Sequence, residues 1–591
     1  MKKLNAKGID KKRLLTLSGI LTLMFISLVC RMVYIAVDKG SEYKQMAINQ
    51  WKKTIKIAAK RGTILSSDGS ELAVSVQVYR IDADLMVFKR YLEAKKIPED
   101  QAVIELSKAL DMNSSSIKKI LDSKDSKGLP LQFVSLKRQV NNTLVDTVNS
   151  LKYDGLIISP DEARMYPNGN FLAHVIGHTD LQGDGINGVE LSYNDELEGI
   201  PGLKILETDR TDAELPGTES ILTQPVDGKN LTLTIDNQIQ MLVEQVANET
   251  LKENSAKSVS ITVMDPSNGA ILGMVNTPSY DLNKPNQAGK TNAEIQEAWK
   301  NGAVSNVFEP GSIFKVIVAA AGLQTNSVTD SDKFNSTGSI KVANRILYND
   351  KQEANGILDL AGILKYSDNV GFIQLGQKIG KDKLYEFITN AGFGQKTGID
   401  IPGESPGILK KLNDIGPVEL ATMSYGQGVA VTQVQYLAAF NSVANGGTWI
   451  RPHVMKDISH MVDKKKVVDE KYSNLGEKTV MSPDKAGQLR SYLEGIVVNG
   501  TATATYMEGY HIAGKTGTAN EVNPNTGKYE EGKYVASFAG MAPADNPKVT
   551  LIVTVYEPSP DKYYAAETAV PAAKKLFTGL FNILNITPEG K

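Results

Sequence analysis

A single cysteine, Cys30, serves 591 residues. No intramolecular disulfide can form, and no cysteine-ligated zinc or iron–sulfur site can be built. Charge of one sign is also missing: 65 Lys+Arg stand against 67 Asp+Glu, for a formal net charge of −2. A general nucleic-acid binder should carry a basic footprint, so that class is excluded. There is no internal repeat and no low-complexity segment. At 41% hydrophobic and 22% charged, the composition is that of a folded globular protein, not a disordered chain. The length allows about four domains.

One long apolar run stands out. Leu14 to Cys30 carries no charge, and MVYIAV continues the run past Arg31. A helix from Leu14 to about Val37 is long enough to cross about 30 Å of hydrocarbon. Lys2, Lys3, Lys7, Lys11, Lys12 and Arg13 precede it, against Asp10 alone. This flank predicts a cytoplasmic tail over 1–13, a transmembrane anchor over 14–37, and a remainder outside the cell. The run exceeds a signal-peptide apolar core and lacks a small-x-small cleavage site, so the anchor is expected to stay uncleaved.

Beyond the anchor the chain changes texture once. Residues 38–225 mix charged helical stretches with short β-like runs and end in a polar, turn-rich linker, TDRTDAELPGTES (208–220). Residues 226–591 open with a strand and an amphipathic helix, NLTLTIDNQIQMLVEQVANETL, then two strands around a Ser-Asn-Gly turn. They close with the alternating strands YVASFAGMAP and KVTLIVTVYEP and the helix AETAVPAAKKLFTGLFNIL. Strands at both ends around a helical middle predict an α+β domain whose termini share one antiparallel sheet, flanked by helices.

The chemistry lies in this second region. In FEPGSIFKVIVAAAGL, Ser312 and Lys315 stand at i and i+3 at a predicted helix start shaped by Pro310 and Gly311. A serine needs a base to become a nucleophile, and a desolvated lysine can supply one. KYSDNVGF offers Ser367 and Asn369, able to aim a hydroxyl and an amide into one cleft. GYHIAGKTGTANE supplies Lys515, Thr516, Gly517 and Thr518 on a predicted strand, where the glycines allow close approach of a ligand.

Each motif has decoys. S-x-x-K recurs at Ser41/Lys44, Ser115/Lys118, Ser482/Lys485 and Ser559/Lys562, but only the Ser312 copy leads into a long apolar helix. A second K-T-G at Lys396-Thr397-Gly398 runs into a Gly/Pro-rich connector and reads as loop. Gly509 to Thr516 satisfies the phosphate-loop pattern G-x-x-x-x-G-K-[ST]. That loop needs a helix opening at the lysine, and GTANEVNPNTG cannot start one.

In order, Ser312-x-x-Lys315, Ser367-x-Asn369 and Lys515-Thr516-Gly517 form the motif set of β-lactamases and penicillin-binding proteins. The blocks Arg61-Gly62-Thr63-Ile64, RMYPNG (164–169), AHVIGHTD (173–180), GINGVELSYNDELEGIPG (185–202), VFEPGS (307–312) and SYGQGVAVT (424–432) extend the likeness. Together they resemble a class B penicillin-binding protein of the division and sporulation type, a monofunctional peptidoglycan D,D-transpeptidase.

The resemblance implies a non-catalytic, elongated pedestal or dimerisation-type domain over 38–225 and a penicillin-binding transpeptidase domain over 226–591. It implies that Ser312 attacks a D-Ala–D-Ala stem peptide and that the acyl group passes to a neighbouring strand's amine. Lys315 would be the base, Ser367 a proton relay, and Asn369 a ligand of the peptide amide. Lys515, Thr516 and Thr518 would hold the terminal carboxylate across Gly517. The backbone N–H groups of Ser312 and Thr518 would form the oxyanion hole. The implied partners are stem peptides and glycan strands derived from lipid-linked precursor, β-lactams as inhibitors, and a polytopic glycan-polymerising membrane protein. Membrane attachment is through one helix. No nucleic acid, cofactor or metal is called for, and no sugar-polymerising activity is expected of residues 38–225.

Some positions depart from the pattern. Ser66-Ser67 replaces the usual Asp-Arg pair after the Arg61-Gly62 block, and Ile313 replaces a threonine after the nucleophile. Asp368 receives no chemical role and reads as an exposed or structural carboxylate. His174 and His178, four apart with Gly177 between them, read as structural. His453 and His460 have no partner motif, and His511 reads as strand packing. A β-lactamase should add a deacylating carboxylate, and the absence of a Glu three residues before a Leu-Asn pair disfavours the class A type. A D,D-carboxypeptidase using water as acceptor, or a β-lactamase-like hydrolase on the same residues, stays open as an alternative, as does a divisome scaffold without catalysis.

Overall fold

A computed structural model describes residues 11–43, 52–57, 59–207, 220–473, 476–523 and 526–589. Residues 1–10 of the expected tail and 208–219 of the expected linker lie outside the described residues. The chain forms two compact units. The first joins the N-terminal segment through Ala59 to Gly199–Asp227. It holds the apolar helix Lys11–Val37 and a three-stranded antiparallel sheet of Lys52–Ile57, Gly202–Glu207 and Ser220–Thr223.

The second unit joins Lys60–Glu198 to Gly228–Lys591. A mixed sheet runs through it in the order Lys465–Lys471, Met455–Val462, Asn230–Leu233, Ile64–Leu65, Glu71–Asp84, Phe133–Val140, with Leu156–Met165 also paired to Glu71–Asp84. The short strand Ile64–Leu65 lies parallel to Asn230–Leu233, so this sheet takes strands from both sides of residue 225. One core likewise includes Ile64, Leu72 and Val175 along with Ile261, Phe314 and Phe538. A separate small core around Phe88, Leu106, Leu110 and Tyr153 belongs to residues 81–153.

The predicted shared sheet is present. Its five strands run Ile271–Thr277, Ser258–Met264, Val549–Tyr556, Tyr529–Ala542, Ala513–Val522, and every neighbouring pair is antiparallel. Directly paired residues share a face. Gly273 pairs with Val263, and a Cβ on Gly273 would lie 3.1 Å from Ile239, so the Asn237–Glu253 helix covers that face. Gly540 reaches the same face through Leu551, and there the Ala569–Ile583 helix brings Phe577.

The other face carries Ser260, Thr262 and Thr554. Gln433 pins the wholly buried helix Gln433–Ala444 to it, accepting from the Thr262 hydroxyl at 2.7 Å and donating to Thr554 at 2.9 Å. Lys515 pairs with Ala539, Ala539 with Ile552, and Ile552 with Thr262. The register therefore points Lys515 to this second face, at the outermost strand. The helix Lys315–Gln324 (KVIVAAAGLQ) is apolar on nearly every side and buried from Lys315 to Leu323, as a helix enclosed by others must be.

Candidate active site

Ser312 lies in one tight turn of 3-10 helix, Gly311–Phe314, and the α-helix proper begins at Lys315. Gly311 has φ +52°, and a Cβ there would stand 3.1 Å from the Thr518 carbonyl oxygen. From the opposite side, a Cβ on Gly517 would come 2.8 Å from the Pro310 carbonyl oxygen. The two glycines let the serine turn and the Ala513–Val522 strand meet backbone to backbone. Ser312 and Thr518 are neighbours for that reason.

Lys315 is fully buried. Its Nζ lies 3.1 Å from Ser312 Oγ, 2.5 Å from the Ser367 carbonyl, 3.2 Å from Ser367 Oγ and 2.7 Å from Asn369 Oδ1. Burial pushes this amine well below the usual lysine range, and the positive charge of Lys515 pushes it further. Lys515 is equally buried and donates to Ser367 Oγ at 3.0 Å and to its neighbour's carbonyl, Thr516 O, at 3.0 Å. Burial brings its pKa down to about 7. A neutral amine beside a serine hydroxyl is a competent base, so the constellation can activate a nucleophile.

Ser367 holds φ +53°, a left-handed turn that aims its hydroxyl between the two lysines. Asp368 follows as N-cap of the helix Asn369–Ile379 and accepts the Gly371 N–H at 2.7 Å. Its other oxygen accepts from Asn349 at 2.9 Å, Asn355 at 2.8 Å and the Ser336 hydroxyl. Asp368 is 1% exposed. The exposed alternative for this residue is thus corrected: it is the buried anchor of the Ser-x-Asn loop. The signal was in the sequence, an Asp directly before a helical run with a free N–H three residues on. Asn369 donates from Nδ2 to Tyr348 O at 3.0 Å.

Ser312, Lys315, Ser367, Asn369 and Lys515 form one hydrogen-bonded group. Thr516, Gly517 and Thr518 continue along the same strand. The Thr516 hydroxyl lies 2.9 Å from that of Thr501, and the Thr518 hydroxyl accepts the Ala565 N–H at 3.1 Å. The decoys separate cleanly. Lys396–Gly398 lies in a loop where Thr397 and Gly398 donate to Glu404. After Lys515 the chain continues as strand to Val522, so no phosphate-loop helix exists there.

Other residues that the sequence left unassigned also find partners. Glu190, fully buried, accepts from Arg61 at 2.8 Å and Arg164 at 2.6 Å, while Arg164 also donates to Gly62 O at 2.8 Å. Three blocks spread over 61–202 meet in this one cluster. His174 and His178 are buried, hydrogen-bonded to Ala298 O and the Tyr280 hydroxyl, and burial lowers both to about 4. His511 is not a strand-packing residue. It precedes the strand, and its ring lies 2.6 Å from Glu494 and 3.1 Å from Glu589, with the Glu494 contact raising its pKa most.

Residues 259–578 match the penicillin binding protein transpeptidase domain, and residues 56–233 match the Penicillin-binding Protein dimerisation domain. The chain belongs to the class B penicillin-binding proteins. Among relatives of this class B chain, Stage V sporulation protein D of Bacillus subtilis is 31% identical over 98% of the chain and 87% of its own length. The probable peptidoglycan D,D-transpeptidase PenA of Neisseria meningitidis is 30% identical over 96% of the chain and 92% of its own length. A crystal structure of a peptidoglycan synthetase from Bifidobacterium adolescentis superimposes with a TM-score of 0.71 at 25% identity, covering 91% of this class B chain and 98% of that structure.

Proposed function

We propose that this protein is a peptidoglycan D,D-transpeptidase that cross-links stem peptides through an acyl-enzyme on Ser312. The observation that carries the proposal is the fully buried Lys315 amine, 3.1 Å from Ser312 Oγ and 3.2 Å from Ser367 Oγ. Ser312 Oγ attacks the carbonyl between the two terminal D-alanines while Lys315 takes its proton. The carbon–nitrogen bond then breaks, and the proton passes by way of Ser367 to the departing D-Ala amine. A second strand's amine attacks the ester, the carbon–oxygen bond to Ser312 breaks, and a new amide is left. The acyl-enzyme conserves the energy of the first amide, so no nucleotide is spent.

Lys515 holds the donor's terminal carboxylate with Thr516 and Thr518, and Asn369 binds its amide. The N–H groups of Ser312 and Thr518 receive the developing oxyanion. Extended donor peptide adds to the Ala513–Val522 strand, which is outermost in its sheet.

Residues 14–37 anchor the protein, with 1–13 in the cytoplasm and the catalytic part outside. Residues 38–225 serve as a non-catalytic pedestal-type part beside the transpeptidase part, 226–591, in the chain, and offer a surface to a polytopic glycan-polymerising partner. The relative named for sporulation supports a role in septal or sporulation wall synthesis.

The test is product analysis of the full chain in detergent with glycan strands bearing pentapeptides. Cross-linked dimer with release of D-Ala is the expected result. D-Ala release with no dimer at any acceptor concentration would make the protein a carboxypeptidase instead.

A further inference from the structure

The VFEPGS block contains a carboxylate to which the reaction above gives no part. Glu309 stands three residues before Ser312. One of its oxygens accepts the Gly428 N–H at 2.7 Å, and the other accepts the Tyr529 hydroxyl at 2.9 Å. Gly428 belongs to the 424–428 loop, where Gly426 O also accepts the Gly311 N–H at 3.0 Å. That loop packs tightly on the serine turn: a Cβ on Gly426 would lie 2.0 Å from Gly311 O. Tyr529 opens the Tyr529–Ala542 strand and pairs with Val522, the last residue of the Lys515 strand, just past a slip in register between Asn520 and Val522. One carboxylate therefore ties three pieces together: the serine turn, the loop behind it, and the far end of the substrate-bearing strand.

That far end has a direction. If Lys515 holds the donor's terminal carboxylate and Ser312 attacks beside Thr518, the donor's earlier residues run on toward Asn520, Glu521 and Val522. We infer that Glu309 and Tyr529 form a latch that positions this half of the strand as the subsite for stem-peptide residues upstream of D-Ala–D-Ala. Both are positioning residues, neither touching the reacting atoms. The inference rests on the transpeptidase reading and deepens it, because it concerns the donor's length and not its reactive end. The Tyr529 hydrogen bond lies at the surface, with Tyr529 about half exposed, so the latch can be altered without opening the core.

The latch makes discrimination depend on donor length. A short donor, ending at its penultimate D-alanine, never reaches Asn520–Val522. A pentapeptide does. A hydrogen bond to a carboxylate that fixes the strand's position should be felt by the second and hardly by the first.

The experiment compares the full chain with Tyr529→Phe, Glu309→Gln and the double variant, in detergent. D-Ala release is followed from N-acetyl-D-Ala–D-Ala and from pentapeptides with lysine or diaminopimelate at the third position. Ser312 acylation by benzylpenicillin is timed in parallel. Tyr529→Phe should lower kcat/KM for the pentapeptides about tenfold, and for the dipeptide by no more than about twofold. Glu309→Gln should do the same, and the double variant should lose no more than either single one. Equal losses on dipeptide and pentapeptide, or none on the pentapeptide, would overturn the latch while leaving the transpeptidase standing. A wild-type chain that benzylpenicillin fails to acylate would instead remove the reading on which the latch rests.

Discussion

Lys315 and Lys515 meet at a single oxygen: the Ser367 hydroxyl lies 3.2 Å from the first amine and 3.0 Å from the second. Both amines are fully buried, so charging both would place two cations around one small hydroxyl without solvent. On the proposed mechanism the pair divides its labour: Lys315 stays neutral to take a proton from Ser312, and Lys515 carries the charge that a carboxylate seeks.

This division predicts a pH profile. Lys315 must be neutral to act as a base, and its pKa is held well below the usual value by burial and by Lys515. Lys515 must be charged to bind a carboxylate, and its charge is lost as pH rises through about 7. The second-order rate of acylation by benzylpenicillin, which reports the free enzyme, should decline above pH 7 by up to about tenfold per unit. Stopped-flow acylation between pH 5 and 10 measures it. A rate that instead climbs steadily to pH 10 would mean a base with an ordinary lysine pKa.

Gly517→Ala tests the contact between serine turn and strand. The added methyl would lie 2.8 Å from Pro310 O and 2.9 Å from Ser537 Oγ, so the turn has to retreat from the strand. Displacing a nucleophile by a fraction of an ångström to 1 Å costs about 10²-fold. Acylation should fall by that order while the melting temperature changes little. Unchanged acylation would show that the two elements need not touch.

Asp368→Asn keeps the shape of the buried side chain and removes its charge. Asn349, Asn355 and Ser336 donate to one of its oxygens and the Gly371 N–H to the other, so an amide must turn its own NH2 toward one of these donor sets. Stability should drop by about 1–3 kcal/mol, the cost of leaving buried donors without a partner. Acylation should fall as well, because Ser367 and Asn369 flank the anchor. Thermal melting and labelling with a fluorescent penicillin read the two effects. A variant as stable and as reactive as wild type would make Asp368 a bystander.

Glu190→Ala should behave differently. It strands Arg61 and Arg164, whose side chains are 6% and 3% exposed, as unpaired buried cations. The loss should be about 3–5 kcal/mol. Urea titration should show the fall in stability. Folded protein that survives should still be acylated at a rate near that of wild type, since the cluster holds the pedestal blocks and not the serine.

Much of this site is legible in the sequence because its motifs are short. Ser312 and Lys315 are i, i+3, Ser367 and Asn369 are i, i+2, and each spacing fixes local geometry by itself. The central sheet is legible for a similar reason, since alternating strands at both ends of 226–591 have few ways to pair. What escapes is whatever depends on meetings at long range. Glu190 finds Arg61 from 129 positions away, and Glu309 finds Tyr529 from 220 positions away. Nothing local marks either pair. The sequence predicts a helix start at Ser312 but not its tight 3-10 turn, which packs against Thr518 through Gly311. The packing expected of His511 fails because its carboxylate partners lie on the Pro483–Asn499 helix and near the C-terminus.

The most direct test is intact mass spectrometry of the full chain after exposure to benzylpenicillin, followed by peptide mapping, with Ser312→Ala alongside. A stable penicilloyl adduct on Ser312, absent from the variant, is the predicted result. An adduct on another serine, or labelling of Ser312→Ala at the wild-type rate, would contradict the account at its centre.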